Sequence, residues 1–208
     1  MPKRCSFRSS ANCTSRPFCG GRSATLTLDD SVVSDLPGKT ITTEAAGGSN
    51  VANSNLTIRR THFARCVMGP EIGGAALLLE DSNLTDMLPA FREGGSADDE
   101  DNIYIHSSGG RPVNIRRSVF ANSGDDGIDL LAGAVTVEDC IIRNILDKGM
   151  SLLQNDVTVR RTQIIDCDFC ISTKTQIGDE GTPYTLTMEN CTLGDPEPSR
   201  YEVGYPAW

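Results

Sequence analysis

Between Val113 and Gly178 the chain repeats itself at a fixed interval, and that period restricts the fold more than any other feature. Residues 113–134, 135–156 and 157–178 form three abutting units of 22 residues each. Val113, Val135 and Val157 align, as do Ile115, Val137 and Val159, and then Phe120, Ile142 and Ile164. Short β-branched runs returning at such a period, separated by Gly, Asp and Asn, mark a solenoid whose units bury their apolar side chains against their neighbours.

Within a unit the pattern is that of strands. Val135-Thr136-Val137-Glu138 alternates apolar with polar residues, which gives a strand one buried face. A small residue follows (Ser118, Cys140, Thr162), then an inward hydrophobe. Turns are predicted at Asp125-Asp126-Gly127, Asp147-Lys148-Gly149 and Asp168-Phe169-Cys170, each leading into a second short strand that begins at Ile128, Met150 or Ile171. No segment has the length and spacing of a helix. The expected fold is all-β, a right-handed parallel β-helix of about six windings set ~4.8 Å apart. A flat antiparallel sandwich gives turn signals but no reason for the repeat.

Windings are expected over residues 26–195, opening at Leu26-Thr27-Leu28, Leu56-Thr57-Ile58, Leu84-Thr85 and Leu186-Thr187-Met188 outside the regular block. Residues 1–25 read as a Cys-rich cap or a targeting segment, and 196–208 as an aromatic tail closing the other end, since an uncovered last winding is an edge strand.

Nineteen Lys and Arg against twenty-eight Asp and Glu leave a net charge of −9. That sign argues against nucleic acid and anionic membranes as partners. No apolar run approaches the ~18 residues of a membrane helix. The first acid is Asp29, after an Arg- and Ser-rich start that resembles an organelle transit peptide. Sequons at Asn12, Asn55, Asn83 and Asn190 point instead to an extracellular or surface protein carrying glycans. Eight cysteines permit disulfides, with Cys13–Cys19 and Cys167–Cys170 as the candidates. Cys140 and Cys191 share a column two windings apart, too far to bridge, and read as small buried hydrophobes.

Two ladders run along the first strand of each unit. Arg116-Arg117, Glu138-Asp139, Arg160-Arg161 and Glu189-Asn190 alternate in sign, which supports neighbouring strands and defeats a continuous basic groove. Thr27, Thr57, Thr136, Thr158 and Thr187, interrupted by Asn114, are outward β-formers. The acidic insertion containing Asp98, Asp99 and Asp101 offers clustered oxygens, the one candidate for Ca²⁺.

The predicted turn column brings together Asp101, Asp125, Asp126, Lys148 and Lys174. Stacked carboxylates at one corner are the raw material of acid–base glycoside cleavage. Here Gly124-Asp125-Asp126 followed by Ile128 resembles the Gly-Asp-Asp segment of polygalacturonase-type hydrolases within the pectate-lyase-like β-helix superfamily. Asp99-Glu100-Asp101, Asp147-Lys148-Gly149 and Lys174 fall near that family's further segments, with Lys148 standing where the family has His. The resemblance implies Asp101, Asp125 and Asp126 as catalytic carboxyls and Lys148 and Lys174 as contacts to an acidic sugar. A lyase relative would use Ca²⁺ with Arg143 or Lys148 as base. Residues 113–178 are also similar to the generic β-helix repeats of surface proteins, where the same Asp and Gly only form turns. The leading expectation is a non-catalytic module binding carbohydrate or protein along its side face. A glycoside hydrolase or polysaccharide lyase acting on uronate polymers and a structural subunit of a larger assembly are the alternatives.

Overall fold

Two left-handed residues per winding turn the chain through its bends. In the computed structural model, Asp30, Arg60, Asp81, Arg117, Asp139, Arg161 and Asn190 stand at the first bend of successive windings with φ between 45° and 54°. Asp35, Arg65, Asp86, Asn122, Asn144 and Asp166 stand at the second, with φ between 53° and 61°. L-residues adopt this region at some cost, so both columns need compensation from their surroundings. The structure describes residues 25–36, 38–43, 54–87, 100–153, 156–175 and 183–194. The expected caps, Asp98, Asp99, Asn12, Cys13 and Cys19 lie outside the described residues.

The bends divide each winding into three short strands, and every pairing between windings is parallel. One sheet stacks seven strands: Thr25–Asp29, Ser54–Arg59, Ala75–Glu80, Val113–Arg116, Val135–Glu138, Val157–Arg160 and Leu186–Glu189. The second face runs from Val32–Ser34 through His62–Cys66, Asn83–Met87 and Val119–Ser123 to Thr192–Gly194. The third holds Thr42–Thr43, Glu71–Gly73, Ile103–Ser107 and Ile128–Leu130. Ile141–Leu153 and Gln163–Lys174 run through both of these faces and join them into one sheet. Among the described residues there is no helix, and no helix is long and apolar enough to cross a membrane.

Register follows the repeat. Val113, Val135 and Val157 are direct partners, as are Ile115, Val137 and Val159. Phe63, Leu84, Phe120, Ile142 and Ile164 stack on the second face, all fully buried. These columns fill the tube with aliphatic and Phe side chains in continuous contact, the dominant favourable term in its stability.

Seven strands in the first sheet compare with the six or so windings expected. Leu77-Leu78-Leu79 forms a first-sheet strand, paired with Leu56-Thr57-Ile58 on one side and with Val113-Asn114-Ile115 on the other. Its unbroken apolar run hides the alternation that marks the other first strands. Leu84-Thr85, expected to open a winding, lies on the second face beside Phe63 and Phe120. The predicted turn at Asp147-Lys148-Gly149 is not a break, because the strand Ile141–Leu153 passes through it with a register shift between Ile145 and Lys148.

The compensation at the first bend is vertical. From Asp30 to Arg161 each left-handed residue donates its N–H to the next winding, as Asp81 does to Arg116 O at 3.2 Å and Arg117 to Glu138 O at 2.9 Å. The next position is Ser31, Thr61, Ser82, Ser118, Cys140, Thr162 or Cys191. Ser82 shows the arrangement: its hydroxyl donates to Glu80 O at 2.8 Å and accepts the Thr61 N–H of the preceding winding at 3.1 Å. Ser118 and Thr162 do the same for Ser82 and Cys140. Around this column the charges alternate in all seven windings: Asp29-Asp30, Arg59-Arg60, Glu80-Asp81, Arg116-Arg117, Glu138-Asp139, Arg160-Arg161, Glu189-Asn190. Glu80 is the tightest node, its buried carboxylate meeting Arg59 at 2.6 Å, Arg116 at 2.7 Å and Arg117 at 2.9 Å. The bond to Arg116 counts most at Glu80, ahead of burial and then of the bond to Arg117, and the carboxyl is held below its usual range.

No disulfide joins Cys167 to Cys170, which corrects the expected pairing. Each turns its sulfur to a backbone carbonyl, Cys167 to Ile165 O at 3.3 Å and Cys170 to Gly194 O at 3.4 Å. Cys140 is fully buried and Cys191 half-buried, and burial pushes the Cys140 thiol up to about 12.

Ser82→Ala removes an acceptor from a buried N–H and is expected to lower stability by about 1–3 kcal/mol, read from the guanidinium unfolding midpoint. Stability within experimental error of wild type would show that the hydroxyl column carries no load.

Candidate functional site

The residues singled out at the turn column converge at the entrance to the third face. Asp101 precedes Ile103–Ser107, Asp126 precedes Ile128–Leu130, and Lys148 lies in the strand leading to Met150. Because Ile103, Ile128 and Met150 are register partners, the three polar residues stand one above another. Asp101, Asp125 and Asp126 bring carboxylate oxygens within 4.8 Å of one another.

These side chains tie successive windings together. Asp101 Oδ1 accepts the Asp126 N–H at 3.0 Å, and Asp126 Oδ1 accepts the Lys148 N–H at 3.2 Å. Lys148 Nζ donates to the same oxygen at 3.1 Å and also meets Asp147. For Asp101 and Asp126 these bonds run to the next winding and not within their own turn. Positive φ falls on Asn122, Asn144 and Asp166 and not on Gly127 or Gly149. The two glycines are required by close approach, since a Cβ on Gly127 would lie 2.6 Å from Gly149 O and one on Gly149 2.7 Å from Cys170 O.

Electrostatics follow from the burial. Asp101 is 2% exposed. Burial, reinforced by the charges of Asp125 and Asp126, pushes its carboxyl up to about 9, so it carries its proton at neutral pH. Burial works to lower the Lys148 ammonium, but Asp147 and Asp126 outweigh it and hold the pKa above the ordinary value. One proton and one ammonium thus keep three clustered carboxyls compatible. Ca²⁺ takes six to eight oxygens, and this group offers three carboxylates.

Lys174 does not join the column. Its register partner is Leu153, at the far end of the strand from Lys148, although its charge reaches Asp129. Arg143 pairs with Ala121 and Ile165 on the second face, away from the carboxylates.

A second set of polar residues, not singled out from the sequence, lines the outer side of the third face. Thr42, Glu71, Tyr104, Asp129, Ser151 and Ser172 are successive register partners in one column. Although they lie on the outer side of the sheet, Thr42 and Ser151 are fully buried and Glu71 is 3% exposed. Thr42 Oγ1 is buried without a hydrogen-bond partner among the described residues, whereas Ser151 lies against Asp129 and works to lower its carboxyl against the effect of burial. Lys39 meets Glu71 at 2.8 Å and His106 Nε2 meets it at 2.7 Å. Burial alone would raise the Glu71 carboxyl, yet His106 and Lys39 hold it at about 2. The Tyr104 ring lies against His106, centroids 3.8 Å apart and planes tilted by 43°. The alternation Ile103-Tyr104-Ile105-His106 contained this signal, since it puts Tyr104 and His106 outside.

Residues 95–197 match the family model of the right-handed β-helix region. Comparisons with curated proteins and with solved structures gave no match.

The Asp101 carboxyl generates a pH dependence. Folded, it keeps its proton up to about 9, whereas the unfolded chain releases it near ~3.9. Between those values the folded state binds more protons, so stability declines as pH rises. Asp129, also raised by burial, acts in the same sense. The urea midpoint is expected to be lower at about pH 8 than at about pH 5, and Asp101→Asn to flatten that difference. An equal fall in the variant would contradict the assignment.

Proposed function

Taking the chain as a right-handed parallel β-helix, we propose that it is a non-catalytic module that binds carbohydrate along the outer side of its third face. The observation that carries this reading is the column from Thr42 to Ser172, an outward polar row in which Tyr104, Asp129 and Ser172 are part-exposed. A polyhydroxylated ligand matches the polar groups that such a row leaves open to solvent, and the windings repeat them every ~4.8 Å. Lys39 and His106, both half-buried, border the row through their bonds to Glu71.

A second reading, a polysaccharide-active enzyme, draws support from the convergence of a protonated Asp101 with Asp125 and Asp126. Two features weigh against it. An inverting hydrolase sets its carboxyls ~6.5–9.5 Å apart and a retaining one ~5–5.5 Å, whereas these oxygens lie within 4.8 Å. Asp101 and Asp126 are also buried and bonded to backbone N–H groups of the next winding. An extracellular or surface setting draws support from the sequons, since Asn55, Asn83 and Asn190 are exposed.

Retention of the purified protein on immobilised polysaccharides tests the proposal. Wild type is expected to be retained and to release no reducing ends, and Ser172→Leu, which puts an apolar side chain at a part-exposed position of the column, to weaken retention. Release of reducing ends from uronate polymers, abolished in both Asp125→Ala and Asp126→Ala, would establish the enzyme reading instead.

A further inference from the structure

Independently of any ligand on the third face, we infer that the last winding is a docking surface for the chain's own segment 195–208, which crosses the open end of the tube, sets Arg200 against Glu189 and lays its aromatic residues over Leu193. The surface is made of core positions left part-open. Leu193 is 51% exposed, although it continues the column of Phe120, Ile142 and Ile164, all fully buried. Leu186, Met188 and Ile171 likewise continue the buried columns of Val157, Val159 and Met150, yet each is only half-buried. In the first winding Leu28 and Val33 are buried, so this exposure is confined to one end. Covering it returns apolar area to the core and shields the edges of Leu186–Glu189 and Thr192–Gly194 from pairing with another chain.

Charge selects the occupant. Glu80 stands between Arg59 of one neighbouring winding and Arg116 of the other. Glu189, the last acid of the ladder, meets Arg160 of the preceding winding at 2.8 Å, and among the described residues no cation follows it. The alternation therefore calls for a base at the next level, and Arg200 is the one Lys or Arg after Lys174. A second copy stacked head to tail would instead bring its Asp29 over Glu189, a like-charge pair that opposes stacking. Arg200 is within reach. Gly194 is five residues from Glu189 along the chain, hence at most ~18 Å away, and the six residues from Asp195 to Arg200 span up to ~20 Å. Pro196 and Pro198 have no N–H to donate, so the second face is not extended there by a full ladder. Beyond them Tyr201, Val203 and Tyr205 alternate with Glu202 and Gly204, which in an extended segment gives one apolar side to set on the open core, and Trp208 follows.

Trp208 is the chain's one tryptophan, so its fluorescence reads the closure directly. In the full chain its emission is expected to be blue-shifted from that of free tryptophan and resistant to acrylamide quenching, in a protein that light scattering finds monomeric. Arg200→Glu should move the emission to the red and restore quenching, with the far-UV circular dichroism of the windings unchanged. Leu193→Asp, which places a charge on the docking surface itself, should do the same, and should it fail to fold, Arg200→Glu still decides. Solvent-like emission in wild type, or emission unaltered in Arg200→Glu, overturns the inference. Shielding of Trp208 that grows with protein concentration alongside a dimer also overturns it, and assigns the open end to a second copy.

Discussion

The structure depends on bonds that run along the axis of the tube, from a residue in one winding to its equivalent in the next. Strand pairing supplies them where the chain is extended. At the bends, where left-handed residues interrupt the regular ladder, side chains take over. The hydroxyl column from Ser31 to Thr162 does this on one edge, and Asp101, Asp126 and Lys148 do it at the entrance to the third face. On the second edge, Asn122 donates to Asp86 at 2.7 Å and Asn144 to Asn122 at 2.5 Å. A buried backbone N–H left unbonded costs as much as several apolar contacts contribute, so these columns decide whether a winding can stack at all.

This constraint explains the division of labour among the acids. Where a carboxylate is already the acceptor for the next winding's backbone, it serves the fold first. Asp101 and Asp126 fall in this class, and the proton on Asp101 together with the Lys148 ammonium lets them sit together. The charged pairs on the first sheet serve it differently. Exposed pairs there are each worth ~0–1 kcal/mol, but their alternation penalises any shift that would place Arg over Arg, and so reinforces a register already set by the core. The third face differs from both. Its outer column is polar, with Glu71 bonded to Lys39 and His106 and with Tyr104, Asp129 and Ser172 part-exposed.

Much of this was legible from the sequence where the period was strict. From Val113 to Cys167 the register runs at a constant 22 residues, so equal spacing along the chain translates directly into stacking there, and the alternating Arg and acidic pairs could be read off. Earlier windings were harder. Leu26 to Leu56, Leu56 to Leu77 and Leu77 to Val113 are unequal steps, so the charge column through Asp29, Arg59 and Glu80 stayed hidden although every member is in plain view. The carboxylates at the corner were legible as a cluster, yet their bonds were not, because a turn-forming Asp and a winding-bridging Asp look alike in one dimension. Tyr104 and Glu71 were missed for a related reason: they belong to different windings of irregular length, and only the register aligns them.

Amide hydrogen exchange at the corner addresses the central claim most directly, since it asks whether the carboxylates are bound to the backbone of the next winding. The N–H groups of Asp126 and Lys148 are predicted to exchange as slowly as those of Ile128 and Val137 in the adjoining strands, and to lose that protection selectively in Asp101→Ala for Asp126 and in Asp126→Ala for Lys148. Exchange at the rate of exposed loop amides in the wild-type protein would mean that the acids are free of the backbone, and would contradict the assignment of this cluster to the fold.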